Sequence, residues 1–129
     1  MKTLHLQLIK QWFSMVQSGE KKEEYRDITK YWISRLISFS NQDSKKTIGD
    51  IELGLILSTP IITKNIFHTY GLSFRDYDQI HFKNGYARNG KPAPQFDTGI
   101  KGIRIGKGRH EWGASGANQF IIELGDIKK

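Results

Sequence analysis

The sequence of 129 residues predicts an α+β fold in which a small, barrel-like mixed sheet carries helices packed at its ends. Three observations support this class. Predicted strands outnumber predicted helices, their order is not the regular alternation of a doubly wound α/β sheet, and the chain has the length of one ordinary domain. We therefore expect a single domain over residues 1–129.

The amino-terminal part is predicted to form a strand, a helix and a second strand. Apolar and polar residues alternate from Leu4 to Leu8, which is the period of a half-buried strand. A helical period follows over Ile9–Ser18, and Gly19 stands where a left-handed helix end is favoured. The charged segment Lys21–Asp27 is predicted as a strand from its context. The apolar face of the helix is expected to comprise Ile9, Trp12, Phe13 and Val16.

A second helix and a loop are predicted next. Thr29 can cap a helix that ends near Phe39, because a threonine oxygen can accept from a free N–H of the first turn. The segment Ser40–Lys46 is polar and is predicted to be an exposed loop. The apolar stripe of this helix comprises Trp32, Ile33, Leu36 and Ile37.

The apolar segment Thr47–Ser58 is the ambiguous part of the sequence. It contains Gly49 and Gly54, which favour a strand with a bulge over a helix. Thr59-Pro60 then has the residue types of a helix start, and Gly71 those of its end. We expect a third helix between them.

The carboxy-terminal half is predicted to hold three strands, at Asp78–Lys83, Ile100–Ile105 and Gln119–Leu124. Two Asn-Gly pairs, Asn84-Gly85 and Asn89-Gly90, separate the first two strands. Asparagine and glycine tolerate positive φ, so both pairs predict tight turns.

Composition favours a basic protein of the cytoplasm. The formal net charge is +7, which attracts polyanions and makes nucleic acid the first partner to consider. A basic surface kept only for solubility is the alternative. The chain contains no cysteine, which excludes disulfides and thiolate zinc sites. No apolar run approaches the roughly 20 residues that span a bilayer, so we expect no membrane partner.

The segment after the first helix carries the clearest cluster of charges. Glu24 and Arg26 are two residues apart, so on a strand they lie on one side, where the arginine can hold the carboxylate in a bidentate pair. Lys21 lies at the turn before the strand and would supply a mobile cation. The alternative is that these are solvated strand charges of little individual effect.

These residues fit the pattern G-x-K-x-x-E-x-R, and the chain resembles the ASCH family of the PUA-like superfamily as a small stand-alone member. The region of about 40–75 is longer than the family pattern and is predicted to be a family-variable insertion. The matching residues are Gly19, Lys21, Glu24 and Arg26, with Trp12-Phe13, Tyr31-Trp32, Arg35-Leu36, Phe82–Tyr86, Ile105-Gly106 and Glu111–Ala114.

The resemblance implies a PUA-like barrel with Lys21, Glu24 and Arg26 in a basic cleft that binds RNA or a modified nucleoside. It also implies an alternative, because some similar small proteins hydrolyse acetylated cytidine with a lysine, a threonine and a second glutamate. Here Glu24 stands where those enzymes have threonine, and their second glutamate has no counterpart that we can place. Lys21 and Glu24 are the catalytic candidates under that alternative.

The leading hypothesis is a module that binds single-stranded RNA or a nucleoside, since a small cleft can accept an unstacked base but cannot follow a groove. A small amidohydrolase is the second hypothesis and a protein-interaction domain the third. We expect neither a metal nor another cofactor, because the four histidines are scattered without close pairing. The proposed nucleic-acid contacts are Lys21, Lys22, Glu24, Arg26, Arg104, Lys107 and Arg109. Trp112 and Tyr86 are proposed to stack on bases.

Overall fold

The computed structural model describes residues 1–40 and 48–128. Over these residues the chain has an α+β fold with a mixed, strongly curled five-stranded half-barrel sheet and four α-helices. The predicted α+β class with a barrel-like mixed sheet is therefore confirmed. None of the described helices has the length and apolar character needed to cross a membrane.

The main sheet has the strand order β1, β5, β6, β7, β2. Strand β1 pairs with β5 in parallel, and β5 pairs with β6 antiparallel. A smaller antiparallel sheet pairs β3 with β4. The strands are β1 (Thr3–Leu8), β2 (Glu23–Arg26), β3 (Ile37–Phe39), β4 (Leu72–Phe74), β5 (Gln79–Asn84), β6 (Gln95–Gly106) and β7 (Gln119–Lys128).

The helices begin and end where local sequence signals place them. Thr29 and Thr59 each accept a hydrogen bond from the backbone N–H three residues later, which satisfies a free donor of the first turn. Gly19 and Gly71 follow their helices with φ of +84° and +65°. The helices are α1 (Lys10–Gln17), α2 (Lys30–Leu36), α3 (Ile48–Leu57) and α4 (Pro60–Tyr70), with a 3₁₀ turn at His110–Trp112.

The described chain divides into two compact units. Unit 1 comprises Met1–Glu24, Asp76–Gly102 and Ile122–Lys129, and unit 2 comprises Tyr25–Arg75 and Ile103–Ile121. The core of unit 1 includes Leu4, Leu6, Phe13, Ile80 and Phe82, whereas that of unit 2 includes Ile33, Leu36, Ile51, Leu55 and Phe120, all buried.

The prediction of a bulged strand at Thr47–Ser58 is wrong, because Ile48–Leu57 is helix α3. Its buried residues Ile51 and Leu55 are four apart, which is the spacing of one helical face. Gly54 allows a close approach between helices, since a Cβ there would lie 3.0 Å from Cδ1 of Ile66. Packing against a neighbouring helix therefore outweighs the low helix propensity of the glycines.

Several predicted boundaries need correction. Helix α2 ends at Leu36 rather than near Phe39, because Ile37–Phe39 pairs with β4. Ile9 is 64% exposed and precedes α1 instead of joining its apolar face. The β2 strand is shorter than Lys21–Asp27, while β6 and β7 are longer than predicted. Most of the predicted loop Ser40–Lys46 lies outside the described residues.

Candidate functional site

Lys21 and Glu24 form a buried ion pair in unit 1. The backbone N–H of Lys21 donates to the carbonyl of Met15 at 3.0 Å, which turns the chain between α1 and β2. Its Nζ then donates to Oε1 of Glu24. Each of the two residues is only 3% exposed. The ammonium also lies 5.3 Å from the ring centroid of Trp12, close enough for a cation–π contact.

This burial corrects the sequence-based view of the charged segment. Lys21 was expected to be a mobile cation, but its side chain is enclosed and bound to a carboxylate. The alternative of solvated strand charges is also wrong for Lys21 and Glu24. The predicted pair between Glu24 and Arg26 stays a prediction. In unit 2, Arg26 donates from Nη1 to the carbonyl of Tyr25 at 2.8 Å, and its guanidinium lies 5.2 Å from the ring centroid of Trp32.

A cavity of about 130 Å³ adjoins the ion pair, with Gly19, Lys21, Lys22 and Thr98 among its lining residues. Beside it, strands β6 and β7 approach each other closely. A Cβ at Gly125 would lie 3.0 Å from the carbonyl carbon of Gly99. Pockets that hold drug-sized ligands have volumes of about 300–1,000 Å³, so this cavity is too small to enclose a nucleoside.

A larger basic basin lies elsewhere in unit 1, at the two Asn-Gly turns. We call it the Tyr86 basin. Its volume is about 380 Å³. Tyr86 stands on it with 76% of its surface exposed. The residues that give it its chemistry are Lys10, Tyr86, Arg88 and Lys91, beside Pro92 and Pro94.

The backbone holds this basin in a defined shape. Arg88 and Lys91 exchange backbone hydrogen bonds of 3.0 and 2.9 Å across the turn. Asn89 and Gly90 at the tip have φ of +51° and +73°, as the Asn-Gly pair predicts. The N–H of Asn84 donates to the carbonyl of Pro94 at 3.0 Å, which joins the two ends of the loop. Backbone hydrogen bonds therefore define the turn that carries Arg88 and Lys91.

The chemistry of the Tyr86 basin is that of a site for an aromatic anion. An exposed phenol ring offers a face for stacking, and an arginine and two lysines line the same basin. Tyr86 was predicted from the sequence, whereas Lys10, Arg88 and Lys91 were not. The signal for two of them was present, since Arg88 and Lys91 flank the second Asn-Gly pair.

Unit 2 contains the other predicted basic residues. The guanidinium of Arg109 lies 4.7 Å from the ring centroid of Trp112, and its Nε is 3.0 Å from Oε1 of Glu111. Trp112 also packs against the buried cluster of Tyr25, Ala114 and Ile121. A base that stacks on Trp112 would therefore meet a ring that already packs on the core and lies beside Arg109.

The structure divides the predicted contacts between the two units. Lys21, Lys22, Glu24 and Tyr86 belong to unit 1, and Arg26, Arg104, Lys107, Arg109 and Trp112 belong to unit 2. Within unit 1 it joins Lys21 to Glu24, whereas Tyr86 lines a separate basin. Within unit 2 it joins Arg109 to Trp112, and Arg104 and Lys107 are exposed.

The histidines are less scattered than the sequence suggested. His5 and His81 face each other across β1 and β5 with their ring centroids 5.5 Å apart, so the expectation of no close pairing is wrong. His81 is fixed by Asp97 at 2.5 Å and by Gln95 at 2.8 Å. Among residues 1–40 and 48–128, no group of three or more His, Cys, Asp or Glu side chains could hold a metal ion.

Comparison with known proteins identified no relatives. No family model matches the chain, no curated protein matches it, and no solved structure matches its fold. The resemblance to the ASCH family therefore stays a prediction from the motif residues.

Proposed function

We propose that this protein binds single-stranded RNA or a nucleoside, with the Tyr86 basin as its contact surface. The observation that carries the proposal is an exposed tyrosine ring among three cationic side chains. A base stacks on the ring face, and the phosphates on either side are neutralised by Lys10, Arg88 and Lys91. The net charge of +7 supports the same class of partner, because it raises the rate of encounter with polyanions.

Stacking on the exposed ring of Tyr86 favours an unpaired base over a duplex. Bases within a duplex are stacked on their neighbours, so their faces are closed to a tyrosine ring. A volume of about 380 Å³ accepts one nucleoside. Because every base has a π-face, stacking of this kind gives affinity with modest sequence preference.

The motif residues have a different role in this proposal. Lys21 and Glu24 are enclosed and bound to each other, so they stabilise the turn between α1 and β2 instead of contacting phosphate. Lys22 is exposed at the same turn and remains available to a polyanion.

A small amidohydrolase that acts on an acylated nucleoside, such as acetylated cytidine, is the second candidate. The observation that favours it is the direct contact between Lys21 and Glu24 beside a cavity, which brings together two groups that can exchange a proton. The cavity of about 130 Å³ has room for an acetyl group but not for the whole nucleoside.

Titration of a labelled oligouridylate tests the proposal. We expect the wild type to bind it more tightly than a duplex RNA of the same length, and Tyr86→Ala to weaken binding by about 5- to 150-fold, the effect of one lost base stack. Tyr31→Ala is the matched control, because Tyr31 is 54% exposed and lies in unit 2.

Equal losses in the two variants, or no binding by the wild type, would contradict the proposal. The same samples are incubated with N4-acetylcytidine and analysed by mass spectrometry. Release of cytidine by the wild type and not by Lys21→Ala would establish the second candidate.

A further inference from the structure

Unit 2 contains a cavity that the proposed function does not use. Its volume is about 410 Å³, within the range of small-molecule sites. Helix α4 contributes Thr63, Lys64 and Phe67, strand β4 contributes Phe74, and strand β6 contributes Arg104 and Ile105. We call it the α4 cavity. All of its lining residues belong to unit 2.

The walls of the α4 cavity are aromatic and aliphatic. The rings of Phe67 and Phe74 have centroids 4.9 Å apart and are tilted by 53°. Phe74 also makes an edge-to-face contact with the fully buried Phe120, with ring centroids 6.3 Å apart. A tilted pair of this kind presents both a ring face and a ring edge, which suits an aromatic guest.

Three polar side chains of the described residues line the cavity: Thr63, Lys64 and Arg104. The hydroxyl of Thr63 lies 2.8 Å from that of Ser58 and donates to the carbonyl of Thr59 at 3.0 Å, so it is committed to the protein. Lys64 and Arg104 are exposed and basic. None of the described residues that line the cavity is acidic. The lining therefore combines apolar walls with two basic side chains.

From this arrangement we propose that the α4 cavity binds a small organic anion with an aromatic body, such as an aryl carboxylate. The ring lies against Phe67 and Phe74, where burial of apolar surface drives binding. The carboxylate faces Arg104, whose planar guanidinium matches it in geometry, and Lys64 adds a second positive charge. The site does not depend on the Tyr86 basin.

Calorimetric titration with 2-naphthoate and with the neutral 2-naphthalenemethanol tests the inference, since the two probes share a ring system and differ in charge. We expect 2-naphthoate to bind the wild type at least about tenfold more tightly than the alcohol, which is the lower end of the effect of a charge-assisted hydrogen bond. Arg104→Gln should remove that preference. Lys101→Gln, an exposed residue on the same strand, should keep it.

A second variant checks the apolar wall. Phe67→Ala should weaken both probes, and thermal unfolding with and without 2-naphthoate shows whether the variant remains folded. Where Phe67→Ala does not fold, the probe preference in Arg104→Gln decides alone, because Arg104 is exposed. Equal binding of both probes by the wild type, an unchanged preference in Arg104→Gln, or binding of adenosine without binding of 2-naphthoate would overturn the inference.

Discussion

Two lysines of unit 1, Lys21 and Lys91, differ in burial and therefore in their access to a ligand. Lys21 is 3% exposed, bound to Glu24 and covered by the ring of Trp12. Lys91 is exposed on the Tyr86 basin. A buried cation that has lost its hydration must keep its carboxylate, whereas an exposed one can exchange water for phosphate. A lysine that belongs to a sequence motif is therefore not necessarily accessible to a ligand.

The largest expected effect comes from removing the carboxylate of the buried pair. Glu24→Gln removes the carboxylate that Lys21 binds in the buried pair, so we expect the free energy of unfolding to fall by about 3–5 kcal/mol. Chemical denaturation measures it. Glu20→Gln, at an exposed position of the same segment, should change stability by less than about 0.5 kcal/mol.

A double variant separates the charge effect from packing. Lys21→Met combined with Glu24→Gln removes both charges, and it should recover a large part of the lost stability. If Glu24→Gln alone is as stable as Glu20→Gln, the buried carboxylate is not needed to stabilise Lys21, and the proposed difference between Lys21 and Lys91 is wrong.

The second prediction concerns the exposed member of the comparison. Lys91→Ala should reduce the slope of log affinity for oligouridylate against log salt by about 0.7, the value for one phosphate contact on a single strand. Lys101→Ala removes the same charge from an exposed residue that does not line the basin. Identical slopes for the two variants would show that Lys91 makes no specific phosphate contact.

The smallest expected effect sharpens the assignment of Tyr86. Tyr86→Phe retains the ring face and loses only the hydroxyl, so affinity for oligouridylate should stay within about twofold of the wild type if stacking dominates. Fluorescence anisotropy measures the difference. A loss as large as that of Tyr86→Ala would mean that the hydroxyl, rather than the ring face, contacts the RNA.

Local signals were sufficient for much of the fold. The alternation around Leu6 predicted β1, and Thr59-Pro60 with Gly71 predicted α4, because caps and left-handed ends act within a few residues. The segment with Gly49 and Gly54 was assigned wrongly because its helix packs against α4. The amino-acid composition of the segment does not reveal that contact. The length of β6 likewise depends on pairing with distant partners.

The candidate site was harder to predict for the same reason. Burial of Lys21 and Glu24 results from tertiary packing, and their spacing alone is equally consistent with solvated charges. Lys10 joins the Tyr86 basin from a helix far away in sequence. Arg88 and Lys91 were within reach of sequence reasoning, because a turn between them brings their side chains to one loop.

The glycines of unit 1 have a practical consequence for anyone who engineers this protein. Gly90 has open space around it but a positive φ, so asparagine is a reasonable replacement there. Gly125 has the opposite constraint, because any side chain would meet the backbone of Gly99 on the next strand. A library built on the Tyr86 basin can therefore place asparagine at position 90, while position 125 should stay glycine because two strands touch there.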